Sequence, residues 1–493
     1  MVPVVYCCLV GRKVLTALFL TTLVNCSLLA SQGAWVAFGL LLWLAVLVAT
    51  WISRTDALFP AVFVMTAALT QNLLLGSFLN LITDVPPVAL GIIELKTAIL
   101  AVFGVVGLWQ LLSRPRLAPT DSARLWIVSA LFCLLVGVHA VFGSAPLLSR
   151  VAYGRNFTAF VFALAIGASA RAQDRRSDTT TRFARFAAIA VIAFAVSSAV
   201  EWMIPDWWDG PLNLGQIAAI KGPFSRTTDF FGSVTRLQSL VGEPVNSAYI
   251  LGWLTLLSIA RGWWLFAFAS AVQMFFTFGK GGLILTAVGV LLFIVTNGFK
   301  RDRTTVARAL VVVGAALIGA VAYLGVSASG AAIVELPTLG PHFVGLLSGV
   351  ANAAASPLGR GLGVGGNLSD VFALTGRETA VNAAAAGLSS ESAVGVLATQ
   401  LGVAGLILYA ITQAELLRLL WSRLRLSSDP VARRDIGMSF ASVLALLLTG
   451  LLQENQLGPQ AGGFVYLWAG LIVGATTVTR PTPSSSSRDG VGE

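Results

Sequence analysis

Residues Gly387 to Gly405 read GLSSESAVGVLATQLGVAG. A wide polar loop ends at an ionisable residue, Glu391, and a long apolar helix follows it. Ser389 or Ser390 can cap that helix by accepting a hydrogen bond from an orphan backbone N–H, and Glu391 in the first turn suits the positive helix end. Gly395, Gly402 and Gly405 leave a smooth face for close helix packing. A carboxylate at a membrane boundary is also a functional-site hypothesis by default. Two readings of Glu391 therefore stand, a helix-end carboxylate and a catalytic group.

Outward from this stretch the chain stays apolar. Of its 493 residues 56% are hydrophobic and 11% charged, with a mean hydropathy of +0.84, which excludes an ordinary soluble domain. Apolar runs of about 20 residues, each able to cross a hydrocarbon core of about 30 Å, recur from end to end. They fall near 14–31, 34–52, 57–80, 88–112, 124–142, 151–170, 183–202, 244–260, 262–279, 281–298, 308–328, 389–411, 436–452 and 461–478. The expectation is an all-α polytopic membrane protein of about 14 transmembrane helices, with a large extracytoplasmic loop, 329–388, before the third-last helix. Residues 1–479 form one polytopic domain, and 480–493 a disordered cytoplasmic tail.

Charge sets the expected orientation. The loops holding Arg114, Arg116 and Arg124, then Arg171 to Arg185, Lys300 to Arg308, and Arg418 to Arg434 all fall on one face of the alternation. That face is read as cytoplasmic, with both termini on it, in an inner membrane. The net charge of +10 is then a topology signal, and no nucleic-acid partner is expected. Arg12 and Lys13 precede an apolar run without a small-residue cleavage site, as in an uncleaved first span. Cys7, Cys8, Cys26 and Cys133 lie in or beside apolar segments at spacings that suit neither zinc nor a disulfide framework. The outward segment 203–243 carries PDWWDGP, where Trp207 and Trp208 suit an aromatic belt or the stacking of a ligand.

The outward face collects the groups that can carry chemistry. RLQSLVGEPVNSA, Arg236 to Ala248, offers a cation for bidentate phosphate contact, and Glu243 stands before a helix that Pro244 can start. FGKGG, Phe278 to Gly282, sets Lys280 in a glycine turn whose N–H groups can approach an anion; Lys280 equally suits a snorkelling interface lysine. SPLGRGLGVGG, Ser356 to Gly366, surrounds Arg360 with glycines that can fold tightly around a ligand. His139 lies in an apolar run, where a buried structural role fits it, and His342 in the long loop is a minor base candidate. There is no HExxH, paired-Cys or clustered His/carboxylate pattern, so neither a protein-bound metal nor a cofactor is expected.

At these residues the chain resembles the O-antigen ligase and Wzy-type O-antigen polymerase family of bacterial envelope glycosyltransferases, over roughly 230–411. Ser392, Gly402 and Gly405 fit that family's spacing at the helix after its large periplasmic loop, with Glu391 standing where its ligases have His. Arg236, Glu243, Pro244 and Asn246 resemble its arginine and Pro-containing element. Gly279, Lys280 and Gly281 resemble its Ser-Arg-Gly turn, and Gly359, Gly361 and Gly363 its Gly-x-Gly-x-Gly loop. The departures Glu for His and Lys for Arg point toward polymerase. The resemblance implies a GT-C-like fold and transfer of a glycan from a polyprenyl-diphosphate-linked donor to a sugar hydroxyl of a glycan acceptor. Transfer would take place on the outer face of the bilayer. Glu391 would be the catalytic base, with Arg236, Lys280, Glu243, Asn246, Arg360 and Ser392 binding substrate. One base without a covalent carboxylate gives inversion, and an activated leaving group needs no metal. The rival expectation is a lipid-linked oligosaccharide flippase or other transporter.

Overall fold

The structure, a computed structural model, describes residues 57–79, 95–113, 120–174, 179–205, 227–228, 234–297, 340–366 and 392–475. The expected spans 14–31, 34–52 and 308–328, the Trp207–Trp208 pair, Ser389, Ser390, Glu391 and the tail from 480 lie outside these residues. Among the described residues the architecture is helical: α1 (Phe59–Leu79), α2 (Leu95–Ser113), α3 (Ala123–Phe142), α4 (Leu147–Gln173), α5 (Thr179–Met203) and α6 (Pro244–Arg261). Then follow α7 (Trp264–Phe276), α8 (Lys280–Asn297), α9 (Gly340–Ala355), α10 (Ala393–Leu426), α11 (Pro430–Thr449) and α12 (Ala461–Val473). Beyond these there are three short 3-10 turns, and Thr227–Thr228 pairs antiparallel with Val234–Thr235.

Among the described residues five helices, α3, α4, α5, α8 and α10, carry windows long and apolar enough to cross a membrane. Their exposed side chains include Leu134, Val141, Phe142, Ile189, Val196, Leu291 and Val295, which suits a lipid-facing surface. α6 differs. It is buried along almost its whole length, because α5, α7, α8, α11 and α12 surround it. A helix that is apolar all round and covered all round is the hub of a bundle.

Backbones approach closely where side chains are missing. On α12, Gly470 and Gly474 stand one turn apart, and a Cβ on either would collide with α4 at Leu164 or Ala168, while Gly167 of α4 faces Leu467 in return. Small residues four apart are the usual means by which helices without a hydrophobic driving force between them gain van der Waals contact. α8 meets α6 in the same way, with Gly282 against Ala248 and Gly252 against Thr286.

Two segments depart from the expected layout. The basic stretch Arg418 to Arg434 is not a long loop: α10 continues to Leu426, and Ser427 to Asp429 alone connect it to α11. Its 34 residues would measure about 51 Å if straight, more than a bilayer core requires. The expected loop 329–388 contains a helix, α9, followed by a compact turn through Gly366.

Candidate functional site

The site at one end of the bundle starts from an acid in an apolar helix. Glu201, on the last turn of α5, is buried, and its carboxylate accepts from Gln238 N at 2.9 and 3.0 Å and from Ser239 N at 2.7 Å. Ser239 sits at φ +52°, a left-handed conformation that costs a non-glycine residue energy and needs such an anchor. The same segment is tied a second time: Leu237 N donates to Phe276 O at 3.1 Å and Arg236 Nε to Thr277 O at 3.0 Å. Arg236 is thereby laid against the turn between α7 and α8. Lys280, the first residue of α8, is exposed. The two cations are close enough to repel each other.

The glycines around Lys280 serve packing. A Cβ on Gly279 or Gly282 would collide with Ala248 of α6, and one on Gly281 with Tyr249 and Gln453. The FGKGG turn therefore presses α8 onto α6 and leaves Lys280 as the residue that projects.

Glu243 and Asn246 fall deeper. Glu243 is buried, and Asn246 Nδ2 donates to Glu243 Oε2 at 2.8 Å and to Gln460 Oε1 at 3.0 Å. Gln460 Nε2 in turn donates to Ala68 O of α1 at 3.0 Å. Arg155 of α4 adds a favourable charge interaction with Glu243. This network braces α1, α4, α6 and the chain before α12. The start of α6 at Pro244 agrees with the sequence expectation, and Glu243 occupies the N-cap position without a side-chain cap bond.

At the start of α10 the cap is Ser392, whose Oγ accepts from Gly395 N at 3.1 Å; it is buried. The helix begins at Ala393, so its cap falls two or three residues after the expected Ser389 or Ser390. Ala393 N donates to Gly450 O at 3.1 Å and Gln453 O at 3.3 Å, which joins this turn to the chain after α11. Gln453 also accepts from the Tyr249 hydroxyl at 2.6 Å.

Gly402 is a break in α10. Its φ of 65° and ψ of −159° lie in a region open essentially to glycine alone. The freed backbone groups are taken by the turn after α9: Arg360 N donates to Thr399 O at 2.9 Å, Gly361 N to Gln400 O at 3.1 Å, and Val403 N to Pro357 O at 2.9 Å. The Gln400 side chain accepts from Gly363 N at 3.0 Å and donates to Gly365 O at 2.9 Å. Gly359, Gly361, Gly363, Gly365 and Gly366 all take positive φ. The glycine loop thus folds around a helix break, and its other side rests on Gly143, Ser149 and Tyr153. Gly395 packs against Gly349, as a smooth face requires, whereas Gly402 does not serve as one.

The turn that carries Lys280 and the Ser392 turn are therefore joined through Gly281, Tyr249 and Gln453, while Arg236 is fixed to the residues just before Lys280. Arg360 is exposed at the far end of the first segment of α10. His342 falls in α9, and His139 is half-buried in the last turn of α3. Among the described residues no group of three or more His, Cys, Asp or Glu could hold a metal ion. Sequence reasoning missed Glu201, Arg155, Gln453 and Gln460. Two signals pointed to Glu201 and Gln453: an acid inside an apolar run, and the polar run Gln453, Glu454, Asn455, Gln456 between two apolar helices. No protein-family model matches this chain, and no curated protein matches it.

Proposed function

We propose that the chain is a multi-pass glycosyltransferase of the cytoplasmic membrane, with about 14 spans and both termini inside. It would move a glycan from a polyprenyl-diphosphate-linked donor to a sugar hydroxyl on the outer face, polymerising or ligating, with inversion. The observation that carries this reading is the pair Arg236 and Lys280. Arg236 is anchored to a backbone carbonyl of the turn before α8, Lys280 is exposed at the start of α8, and the two are close enough to repel each other. An anion with two or more charged oxygens, such as a leaving diphosphate, turns that repulsion into binding. The resemblance in order of the motifs around Arg236, Lys280, Arg360 and Glu391 supports the same reading, and Glu391, directly before Ser392, is assigned as the base.

The rival reading, a flippase or other transporter, is less well supported. Transporters use the unwound carbonyls of broken helices to coordinate ions near the midplane. In α10 the carbonyls freed at the break already accept from Arg360 N and Gly361 N.

The test uses purified protein in vesicles with a polyprenyl-diphosphate-linked glycan and a sugar acceptor. Arg236→Ala and Lys280→Ala are expected to abolish transfer at normal protein levels, and Glu391→Gln to slow it by about 10²-fold. Wild-type turnover by both Ala variants removes the cations from the mechanism; movement of intact lipid-linked glycan without bond formation selects the transporter. In a deletion strain, shortened chains identify a polymerase and full-length chains left on lipid a ligase.

A further inference from the structure

Gln453 stands where three elements of this end converge, and nothing in the sequence motifs singles it out. Its backbone carbonyl accepts from Ala393 N at 3.3 Å, in the first turn of α10. Its side-chain Oε1 accepts from the hydroxyl of Tyr249 on α6 at 2.6 Å. A Cβ on Gly281, the residue after Lys280, would collide with that Oε1 and with the Tyr249 ring. The hydroxyl of Tyr249 donates to that oxygen, so the amide of Gln453 is oriented by it.

With Oε1 committed, the other end of the amide is free to serve. Nε2 donates to no described residue, and the side chain is half-exposed rather than enclosed. A neutral N–H donor whose partner oxygen is fixed points one way, and Lys280, which carries the charge, directly precedes the glycine that packs on this amide. Such a pairing suits an anionic oxygen, because the charge supplies attraction and the amide supplies direction.

We propose that Gln453 is a further binding residue of this site, its Nε2 donating to a diphosphate oxygen of the donor beside Lys280. The proposal rests on the reading of Arg236 and Lys280 as a diphosphate site. Tyr249 is then a positioning residue, which acts by holding the amide.

The experiment measures binding of farnesyl diphosphate, a short polyprenyl diphosphate, and of inorganic pyrophosphate to the full chain in lipid nanodiscs. Gln453→Glu keeps an oxygen for Tyr249 but, when ionised, cannot donate. It is expected to weaken both probes by about 10-fold or more at pH 7.5, with the gap to wild type narrowing at pH 5 as the carboxyl protonates. Gln453→Met, neutral and of similar length, is expected to weaken both several-fold with no change in that gap between the two pH values. An unchanged thermal transition establishes that each variant folds. Wild-type affinity in folded Gln453→Glu and Gln453→Met proteins overturns the proposal and leaves Gln453 as an anchor for Tyr249. Loss confined to farnesyl diphosphate also overturns it, since the contact would then be with the lipid. Lys280→Ala in the same assay separates the two ideas. If it weakens binding and the Gln453 variants do not, Gln453 alone fails; if wild type binds neither probe, the diphosphate reading fails and takes the role of Gln453 with it.

Discussion

The two ends of the bundle handle their cations in opposite ways. At the Asp435 end, Arg261 Nη2 meets Asp435 Oδ2 at 2.7 Å with both side chains buried, Nη1 reaches Thr181 at 3.2 Å, and the guanidinium lies over Trp468. Arg423 Nη1 donates to Ile472 O at 2.6 Å and Ala475 O at 2.8 Å, and Arg182 reaches Asp174 at 3.4 Å. These cations bind helices together: Arg261 alone joins α5, α6, α11 and α12. At the Lys280 end, Lys280 is exposed and Arg236, anchored on Thr277 O at 3.0 Å, is close enough to repel it. The lesson concerns use. A charge enclosed with its counter-charge serves the fold, whereas an exposed cation at the end of a bundle can meet a ligand, as proposed for Lys280.

Substitution should separate the ends by what is lost. Arg261→Ala leaves Asp435 buried beside Thr180 and Thr181 without its cation, and removing one partner of such a pair costs about 3–5 kcal/mol. The expected outcome is a large drop in yield and in the thermal transition, read by fluorescence-detected size exclusion, with activity per folded molecule kept. Lys280→Ala should do the reverse, with a normal yield and transition but no transfer. A well-folded Arg261→Ala protein, or a poorly folded Lys280→Ala protein, breaks the contrast. Gly402→Ala should also lower the thermal transition. Holding alanine in a glycine-only conformation costs about 1–3 kcal/mol, and its Cβ would collide with the backbone at Pro357 and Gly359, which must shift.

Much of the fold could be read from the chain because apolar runs bounded by charge, proline or glycine leave little choice. α3 and α6 begin and end within a residue or two of the expected spans, and α8 likewise. The extension of α10 was not legible, since Arg418, Arg423 and Arg425 look like a loop until their partners are known. Arg418 pairs with Glu415 at 2.7 Å, and Arg423 lies 3.7 Å from Asp121, far away in sequence. Of the candidate site, Arg236 lies against the turn that precedes Lys280. Glu243 and Asn246, which the resemblance makes substrate-binding residues, bond to each other, and Asn246 bonds Gln460, a contact between residues more than two hundred positions apart. Local pattern cannot distinguish a polar group that waits for a ligand from one that waits for a distant part of its own chain.

The break at Gly402 also bears on how the protein is made. The turn 356–366 leaves the ribosome before residues 399–403 do, so the donors and acceptor that will satisfy the broken helix exist before the break does. A helix entering the membrane boundary with Val403 N–H and two carbonyls unpaired would be costly to hold there. Docking onto a turn already synthesised removes that cost in one step. Biogenesis then has a direction: the glycine turn works as a template against which α10 completes itself, and the timing of synthesis becomes part of what the sequence encodes.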